Sequence, residues 1–440
     1  MLSRRGPLAA LLGLLLACGE SGATESADPA TTLRSRAAAA GAAPLGVAPS
    51  ADPALVTLGQ ALFYDKVLSG SRDIACSTCH SPVYHTTDLL SLSIGTGGDG
   101  LAAGRRLGTG AFSSRNAPDL FNRGHADWRR LFWDGRVERT ATGFATPAGA
   151  ALPAGLASPL AAQTLFPMLA STEMRGAPGT NRIADLPDTD PVIIWDSLTA
   201  RVAALPGYDS LAQAAFPGRQ VPALLIADLA NALAAFVGTR WHFGDTPFDR
   251  FLGGDDAALS PEALRGGLLF FGRARCGACH RGPLLTDQEF HNVGIPNLGP
   301  GFDAGPDLGR ARVTGAVADR YAFRTPSLRG VAHSPPYMHN GTYRTLADAV
   351  RHYRDVRAAL LSFPTTGIDP RLAPSLDLSP AGLADVAATL DPLVRQPVQL
   401  SETDLDDLVA FLLALTDPRS NVLLGDIPAT VPSGLPVNDY

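Results

Sequence analysis

The chain has 440 residues, of which 45% are hydrophobic and 18% are charged, a composition ordinary for a soluble globular protein of two or three domains. The formal net charge is -6 at pH 7, so no basic excess favours nucleic acid as a partner. Glycine and proline are abundant, with 45 and 36 residues, and predict long irregular connections between helices.

The first 18 residues resemble a bacterial lipoprotein signal. Arg4 and Arg5 precede a short apolar core, residues 8–17, which is too short to span a bilayer as a mature helix. The core ends in a lipobox-like segment in which Cys18 would be acylated; an ordinary signal peptide cleaved nearby is the alternative. Residues 19–50, rich in Ala, Ser and Gly, predict a flexible tether. We therefore expect a periplasmic protein that meets a bacterial membrane only through a lipid anchor at Cys18.

A predicted helix leads into a cysteine motif twice in the chain. Apolar residues recur at helical spacing from Leu55 to Leu62, shortly before Cys76-Ser77-Thr78-Cys79-His80. In the second half, Ser260 can cap a helix that leads into Cys276-Gly277-Ala278-Cys279-His280. The repeat predicts two related domains. We place the first domain at residues 51–245, the second at 246–425 and a C-terminal tail at 426–440.

Each cysteine motif suits covalent attachment of a c-type haem. Cys76 and Cys79 can add to the two vinyl groups of a porphyrin, and His80 can ligate the iron. The second motif offers the same three groups, Cys276, Cys279 and His280. The alternatives are a redox dithiol, half of a zinc site and a chance match. A dithiol does not need the histidine, and a zinc site built from four thiolates leaves both histidines unexplained. We therefore expect two covalently bound haem c groups.

The rest of the chain predicts helices and loops rather than strands. Residues 140–160 are dominated by Ala, Gly, Pro and Thr and predict an exposed loop that either gates a pocket or only decorates it. Helical stripes run over Leu224–Val237, Thr345–Leu361 and Ser401–Leu415, the last with a capping pair at its start. The expected fold is mainly α, with two cytochrome c-like haem domains carrying long Gly/Pro-rich loops.

Five further segments have recognisable motifs. They are Arg115-Asn116-Ala117-Pro118, Phe132-Trp133-Asp134-Gly135-Arg136, Phe290-His291-Asn292-Val293-Gly294, Phe323-Arg324-Thr325-Pro326-Ser327-Leu328-Arg329 and Pro336-Tyr337-Met338-His339-Asn340-Gly341. With the two haem motifs, they resemble the bacterial di-haem cytochrome c peroxidase family, which includes the MauG-type enzymes. The ordered matches are specific for the family and much less specific for a substrate.

The resemblance implies that peroxide reacts at the amino-terminal haem and that the carboxy-terminal haem takes in electrons. His80 and His280 would be the proximal ligands. Gln163, Pro167 and Glu173 match the family's distal pocket in order and spacing. Breaking an O–O bond needs a group that takes a proton from one oxygen and delivers it to the other. Glu173 could do this, while Gln163 could orient bound peroxide or water. The alternative for Glu173 is a surface helix residue.

The resemblance also implies an aromatic residue between the haems and a calcium site. Trp133 falls where the family places that aromatic, and its alternative, a large core residue, is compatible with the same role. Asn116, with backbone groups near Ser334 and Pro336, matches the family's inter-haem Ca²⁺ site, because hard oxygen ligands from separate loops suit this ion. Ser334 departs from the usual Thr.

Two positions depart from the typical peroxidase pattern. Thr96 stands where many relatives keep a second His on the peroxidatic iron, so we expect the first haem to be five-coordinate or water-bound as isolated. His85 is a poorly placed substitute, only five residues from His80. Tyr353 stands where typical peroxidases carry a distal Met. The resemblance implies a tyrosine ligand here, because MauG-type enzymes have a tyrosine at this position. A phenolate ligand lowers the reduction potential relative to Met; a core tyrosine is the alternative.

Three functions fit these observations. The first is an exported di-haem cytochrome c peroxidase-type oxidoreductase that reduces hydrogen peroxide with electrons from a small c-type cytochrome or a cupredoxin. The second is a MauG-like oxidase that uses a high-valent haem pair to oxidise side chains of a partner protein. The third is an electron-transfer lipoprotein without peroxide turnover, which has no need of a proton shuttle such as Glu173. Relatives suggest a possible homodimer.

Overall fold

The computed structural model describes residues 28–219, 224–302 and 305–437, and these form mainly short helices joined by long irregular segments. The helices are α1 (Pro29–Ala39), α2 (Pro53–Tyr64), α3 (Cys76–Cys79), α4 (Pro159–Thr164), α5 (Pro191–Ala203), α6 (Asp209–Ala215), α7 (Ile226–Arg240), α8 (Pro247–Leu252), α9 (Pro261–Phe270), α10 (Ala311–Thr314), α11 (Leu346–His352), α12 (Val356–Leu361), α13 (Pro380–Ala388) and α14 (Glu402–Leu413). Within the described ranges, no helix is long and apolar enough to span a bilayer. The predicted signal and Cys18 lie outside the described residues.

Short strands form two small antiparallel sheets. The first contains β1 (Arg130–Leu131), β2 (Val137–Thr140) and β3 (Gly143–Ala145), and the second contains β4 (Phe290–His291) and β5 (Phe323–Arg324). In the second sheet Phe290 pairs with Arg324, and His291 pairs with Phe323. The Arg324 N–H also donates to the Trp133 carbonyl at 2.7 Å, so this sheet contacts the first domain.

Each half of the chain is built on one closely packed helix pair. Helix α2 packs along α7 in the first domain, and α9 packs along α14 in the second. A glycine sits at each crossing: a Cβ on Gly59 would lie 1.8 Å from the Ala232 carbonyl oxygen, and one on Gly266 would lie 1.9 Å from the Asp407 carbonyl oxygen. Only glycine allows the backbones to approach this closely. The two helices that lead into the cysteine motifs are therefore held by equivalent contacts.

The predicted helix over Thr345–Leu361 is two helices. Helix α11 ends at His352, and α12 begins only at Val356. The break occurs because the Asp355 side chain accepts a hydrogen bond from the Ala358 N–H and starts a new helix. Tyr353 consequently lies just beyond the end of α11 rather than inside a continuous helix. The other two predicted helices correspond to α7 and α14.

The structure differs from the predicted flexible tether over the described part of residues 19–50. Helix α1 begins behind Asp28, whose side chain accepts from the Thr31 N–H at 2.9 Å. Leu33 of this helix is fully buried in the core of the second domain, against α9. Further along, Leu45 is buried in the core of the first domain. The segment thus connects both cores instead of hanging free.

The chain after α14 returns to the first domain. Asp426 accepts hydrogen bonds from Arg240 and from the Trp241 indole N–H, the latter at 3.0 Å. Ser433 donates to the Asp65 carboxylate at 2.7 Å. Leu423, just before the boundary predicted at residue 425, is buried in the core of the first domain, so that boundary divides a segment that packs against the first domain.

A buried ion-pair cluster joins the two domains. Arg115 forms hydrogen bonds to both carboxylate oxygens of Asp307, at 2.6 and 2.8 Å, and lies 2.7 Å from the Asp134 carboxylate. Asp307 belongs to the second domain, whereas Arg115 and Asp134 belong to two of the recognised motifs of the first. A buried guanidinium needs such paired, bidentate partners to offset its lost hydration. Arg115 and Asp134 therefore have a structural role in these two motifs, because their ion pairs hold the two domains together.

Gly266→Ala is expected to destabilise the holoprotein. Alanine favours a helix interior by about 1 kcal/mol over glycine, but the added methyl would overlap the Asp407 carbonyl and push α9 from α14. Overpacking of this kind costs roughly 1–3 kcal/mol, so the melting temperature should fall. Gly425→Ala is the control, because a Cβ there meets no atom within 4 Å. Equal melting temperatures of the two variants would contradict this account of the crossing.

Candidate haem sites

The first cysteine motif opens into a cavity of about 1060 Å³. Helix α3 carries Cys76 and Cys79 into its wall, and His80 follows directly. The Nδ1–H of His80 donates to the Thr86 carbonyl at 3.1 Å, which leaves Nε2 free to ligate a metal. Burial lowers the pKa of His80 to about 4, so the imidazole is neutral near pH 7, the state that iron ligation requires.

The second motif repeats this arrangement in a cavity of about 470 Å³. Cys276, Cys279 and His280 line it. The Nδ1–H of His280 donates to the Leu285 carbonyl at 3.1 Å, and burial lowers the pKa of His280 to about 4. Each domain therefore presents two thiols and one neutral, oriented imidazole to an apolar cavity.

Two buried arginines near the cavities lack adequate carboxylate partners. Arg324 donates to the Phe132 and Thr325 carbonyls at 3.0 and 2.9 Å, and burial lowers its pKa to about 9. Arg123 lies 3.6 Å from the Asp119 carboxylate. Arg123 lines the first cavity and Arg324 lines both. Because haem carries two propionates, it would supply the anions these guanidiniums lack. The residues present thus fit two haems.

The predicted distal residues of the first haem lie together. Gln163 of α4, Pro167 and Glu173 all line the first cavity. Glu173 lies in a single turn of π-helix, Ser171–Arg175, and its half-buried position raises the pKa of its carboxyl above the ordinary value. The cavity wall therefore holds a carboxyl that binds a proton more tightly than a free glutamate, beside an amide that can donate and accept hydrogen bonds.

Residues 145–151, within the segment predicted to be an exposed loop, contribute to the same cavity. Ala145, Thr146, Pro147, Ala148 and Ala151 line it. Ala145 ends β3, which pairs with β2, and the other residues follow that strand. The small three-stranded sheet therefore holds this part of the cavity wall. This loop forms part of the site.

Thr96 and His85 are both engaged away from the first cavity. The Thr96 hydroxyl donates to the Asp73 carboxylate at 2.7 Å. The His85 ring stacks on His333 at 3.9 Å, and its Nδ1 contacts the Ser420 carbonyl at 3.2 Å. Neither residue lines the first cavity, in which His80 is the only histidine among the described lining residues.

Met174 is the only methionine among the described residues that line the first cavity. Its side chain is buried and belongs to the hydrophobic core of the first domain. Packing in that core gives Met174 a structural role independent of any metal.

Trp133 and Arg324 belong to both cavity walls. The Trp133 indole N–H donates to the Asn116 carbonyl at 3.0 Å, which fixes the ring in the partition. Trp133 therefore lies between the two cavities, and its role as an inter-haem aromatic stays a prediction.

Tyr353 faces the thiols of the second cavity. The residue as a whole is 37% exposed, and it lines that cavity. Burial and the nearby Cys279 and Cys276 thiols raise the pKa of its phenol. Among the described residues its hydroxyl has no hydrogen-bond partner. The oxygen is therefore available for ligation, and the bond to a ferric iron would be needed to ionise it.

The neighbour of Tyr353 anchors the end of α11. His352 contacts the Val293 carbonyl through Nε2 at 2.6 Å, and Tyr343 donates to its Nδ1 at 2.9 Å. Burial lowers the pKa of His352 to about 4, so the ring is a neutral bridge between two segments. This bridge positions the adjacent Tyr353.

His291, a residue of a recognised motif to which no role was assigned, lies between two carboxylates. It donates to Asp391 at 2.7 Å through Nδ1 and to Asp287 at 3.2 Å through Nε2. Burial opposes its charge, but these bonds outweigh burial and raise the pKa of His291 above its usual value. Cys279 lies close enough to complete a metal-binding group. Attachment to haem would convert the Cys279 sulfur to a thioether, which is a poor metal ligand. His291 and its two aspartates therefore have a structural role at the edge of the cavity.

The residues of the predicted calcium site lie near one another along the domain boundary. The Asn116 N–H donates to the His339 carbonyl at 2.8 Å, and its side-chain amide donates to the Leu90 carbonyl at 2.8 Å. The Ser334 hydroxyl donates to the Val331 carbonyl at 3.3 Å, and Pro336 follows a cis peptide bond. Asn116 and Ser334 keep side-chain oxygens that can bind a cation, whereas Pro336 can offer only its backbone carbonyl.

The fold and the two cavities define a di-haem protein of c type. A family model described as di-haem cytochrome c peroxidase matches residues 53–257. The methylamine utilization protein MauG of Methylorubrum extorquens is 31% identical over 379 residues, covering 86% of this chain and 82% of that protein. Cytochrome c551 peroxidase of Pseudomonas aeruginosa is 30% identical over 296 residues, covering 67% and 69%. The chain belongs to the di-haem cytochrome c peroxidase and MauG family.

Solved structures agree with the fold. A MauG-like protein associated with microbial copper homeostasis has 26% identity and a TM-score of 0.60, covering 87% of this chain and 95% of that one. The diheme peroxidase BthA of Burkholderia thailandensis has 24% identity and a TM-score of 0.59, covering 84% and 87%. The predicted family and the mainly helical two-haem fold are confirmed.

Replacing Tyr353 should change the second haem alone. If Tyr353 ligates the second iron, Tyr353→Phe would remove that oxygen donor, so we expect a changed spectrum and a higher reduction potential for this haem, measured by spectroelectrochemical titration with haem content checked. Tyr337→Phe is the control. Tyr337 lines the same cavity, but burial alone raises the pKa of its phenol and the two thiols do not contribute. Unchanged potentials in Tyr353→Phe would contradict axial ligation by Tyr353.

Proposed function

We propose that this protein is an exported di-haem peroxidase that reduces hydrogen peroxide to water with electrons from a small c-type cytochrome or a cupredoxin. The observation that carries the proposal is that Glu173 and Gln163 line the same cavity as His80 and its two cysteines. Each peroxide takes up two electrons and two protons and yields two waters. A site for this reaction needs a proton-handling group, an electron entry and a connection between them.

Glu173 is the proton-handling group of the proposal. When bound, the haems supply an iron that can take peroxide at the first site and an electron acceptor at the second. An ionised Glu173 carboxylate takes the proton of one peroxide oxygen and returns it to the other, which leaves as water. The Gln163 amide orients the peroxide by donating one hydrogen bond and accepting another. The raised pKa of Glu173 suits a group that must release its proton only to a departing oxygen.

Trp133 is the connection between the two sites. Its position in both cavity walls supports a role in carrying electrons from the second haem to the first. The Arg324 guanidinium, in the same partition, places a positive charge beside both sites.

A MauG-like oxidase that draws electrons from side chains of a partner protein is the second candidate. Tyr353 in the second cavity and the engagement of Thr96 with Asp73 favour it, because a phenolate stabilises oxidised iron. Steady-state peroxide consumption with a reduced small cytochrome separates the two. Rapid turnover supports the peroxidase, and slow turnover with a long-lived spectral change after peroxide supports the oxidase. No turnover and no spectral change would indicate an electron carrier.

The proposal includes three features of the mature protein. One is export to the periplasm with a lipid anchor at Cys18, supported by the lipoprotein-like signal. Another is one Ca²⁺ at Asn116, Ser334 and Pro336, supported by the oxygen atoms near the domain boundary. The third is a homodimer, supported by family resemblance.

Glu173→Gln should abolish most peroxide turnover while leaving both haems attached. Loss of a positioned acid–base group typically lowers the rate roughly 100- to 10,000-fold, measured as kcat/KM for peroxide. In the parent protein kcat/KM should fall as the pH is lowered through the raised pKa of Glu173, because protonation removes the base. The variant should lose this acid limb.

The control for this prediction is Glu262→Gln, an exposed residue in the first turn of α9. It should keep the parent rate and the parent pH profile. A Glu173→Gln protein with wild-type kcat/KM would rule out Glu173 as the proton-handling group.

A further inference from the structure

The two haem-attachment loops differ in their exposure to solvent. In the first motif the residues between the cysteines, Ser77 and Thr78, are 3% and 1% exposed. In the second motif Ala278 is exposed and Gly277 is half-buried. A haem bound through the cysteines would place a porphyrin edge at these loops, so another protein could approach the second haem but not the first by this route.

Four arginines surround the mouth of the second cavity. Arg36 and Arg275 line the cavity and are exposed, and Arg281 and Arg395 are exposed beside it. We call these four residues the arginine collar. Its members are linked through the backbone. Gly282, next to Arg281, donates to the Ala40 carbonyl at the end of α1, the helix that carries Arg36.

The other side of the collar is linked in the same way. Arg275 donates to the Gln396 carbonyl at 3.0 Å, next to Arg395. Arg395 itself donates to the Leu390 carbonyl at 2.8 Å. Both contacts are with carbonyl groups; the Asp391 carboxylate interacts electrostatically with Arg395 without forming an ion pair.

The collar arginines form no ion pair with the residues that the structure describes. Arg36 likewise donates to a carbonyl, that of Leu268, at 3.0 Å. Some exposed arginines elsewhere in the same domain are paired, as Arg265 is with Asp407 and Arg354 with Glu402, whereas Arg344 and Arg357 have no described ion pair. The collar is therefore a local positive surface on a chain of net charge -6.

The centre of the collar is apolar. Leu393, which is 49% exposed, lines the cavity together with Val394, Gly277 and Ala278. The nearby carboxylate, Asp391, is already bound to His291 at 2.7 Å. An apolar centre within a charged rim is the usual layout of a protein-docking surface.

We propose that the arginine collar is the docking surface for an acidic redox protein whose own redox centre reaches its surface through an apolar patch. This inference rests on the proposed function, because it concerns the donor of the electrons. Two reduced donor molecules each give up one electron at the second haem, and the pair of electrons reduces one peroxide with two protons. The acidic rim of the donor faces the collar, and its apolar patch faces Leu393 and Ala278.

Charge explains why the donor would select this face. The net negative charge of the chain opposes the approach of an acidic partner, and the four guanidiniums of the collar attract it at this surface. Such attraction is screened at high ionic strength, where the Debye length falls to about 3 Å at 1 M salt. Binding through the collar should therefore weaken as salt is added.

The test uses one probe protein in two charge states. A basic mitochondrial-type cytochrome c and the same cytochrome with its lysines succinylated share a fold and a haem but carry opposite charge. Binding of each to the full holoprotein is measured by titration calorimetry at low and high ionic strength. We expect the succinylated form to bind more tightly at low salt and to lose this advantage at high salt.

Paired charge reversals locate the binding surface. Arg36→Glu with Arg275→Glu should weaken binding of the succinylated cytochrome on the order of tenfold or more and strengthen binding of the native one. The matched control is Arg139→Glu with Arg182→Glu, two exposed arginines of the first domain without a described ion pair. The control changes the net charge equally and should have a much smaller effect.

The outcomes separate this inference from the proposed function. Equal binding of the two cytochromes, no binding of either, or equal effects of the two double variants would overturn the collar. Peroxide consumption with a small uncharged hydroquinone as reductant measures turnover without docking. Its absence would overturn the peroxidase proposal, while the binding result would still decide whether the collar selects acidic proteins.

Discussion

The structure depends on holding two histidines neutral and oriented inside apolar cavities. His80 and His280 each donate Nδ1–H to a carbonyl of the loop that follows them, and burial keeps each imidazole uncharged near pH 7. A charged imidazolium could not ligate iron, and a freely rotating ring would ligate it poorly. The short loops after each motif, and the helix pairs α2–α7 and α9–α14 beneath them, supply this constraint in both domains.

The two cavities have equivalent cysteine and histidine motifs, but the other residues that line them differ. The first cavity has Glu173 and Gln163 in its wall, and its attachment loop is buried. The second has Tyr353 in its wall, and its attachment loop reaches the surface. Trp133 and Arg324 form the partition between them. This asymmetry supports a division of labour in which protons are handled at one site and electrons enter at the other.

Much of this was predictable because the decisive signals are local in sequence. The covalent chemistry of haem attachment fixes the spacing of Cys76, Cys79 and His80, and the capped helices before each motif follow helical periodicity. The ordered motifs identified the family, and the resemblance singled out Gln163 and Glu173, which line the same cavity as His80. The placement of Trp133 between the cavities followed from the same resemblance.

The features that the sequence did not predict depend on contacts between residues that are distant in sequence or on local caps that interrupt a helical pattern. Helix α1 has little hydrophobic patterning, and its sequence resembles a tether; Asp28 before Pro29 was the one available signal of a helix start. The break before Val356 arises because a capping aspartate overrides an apolar stripe. Arg123 and Arg324 are ordinary charged residues in sequence, and only the tertiary structure shows that they are buried beside the cavities.

The central claim is that the first iron keeps one open side while the second is capped by a protein ligand. Quantitative electron paramagnetic resonance of the resting ferric holoprotein tests this claim most directly, because open and doubly ligated ferric haems differ in spin state. The account predicts one high-spin and one low-spin haem in equal amounts. Two low-spin haems would contradict it, since a second strong ligand would then occupy the site assigned to peroxide.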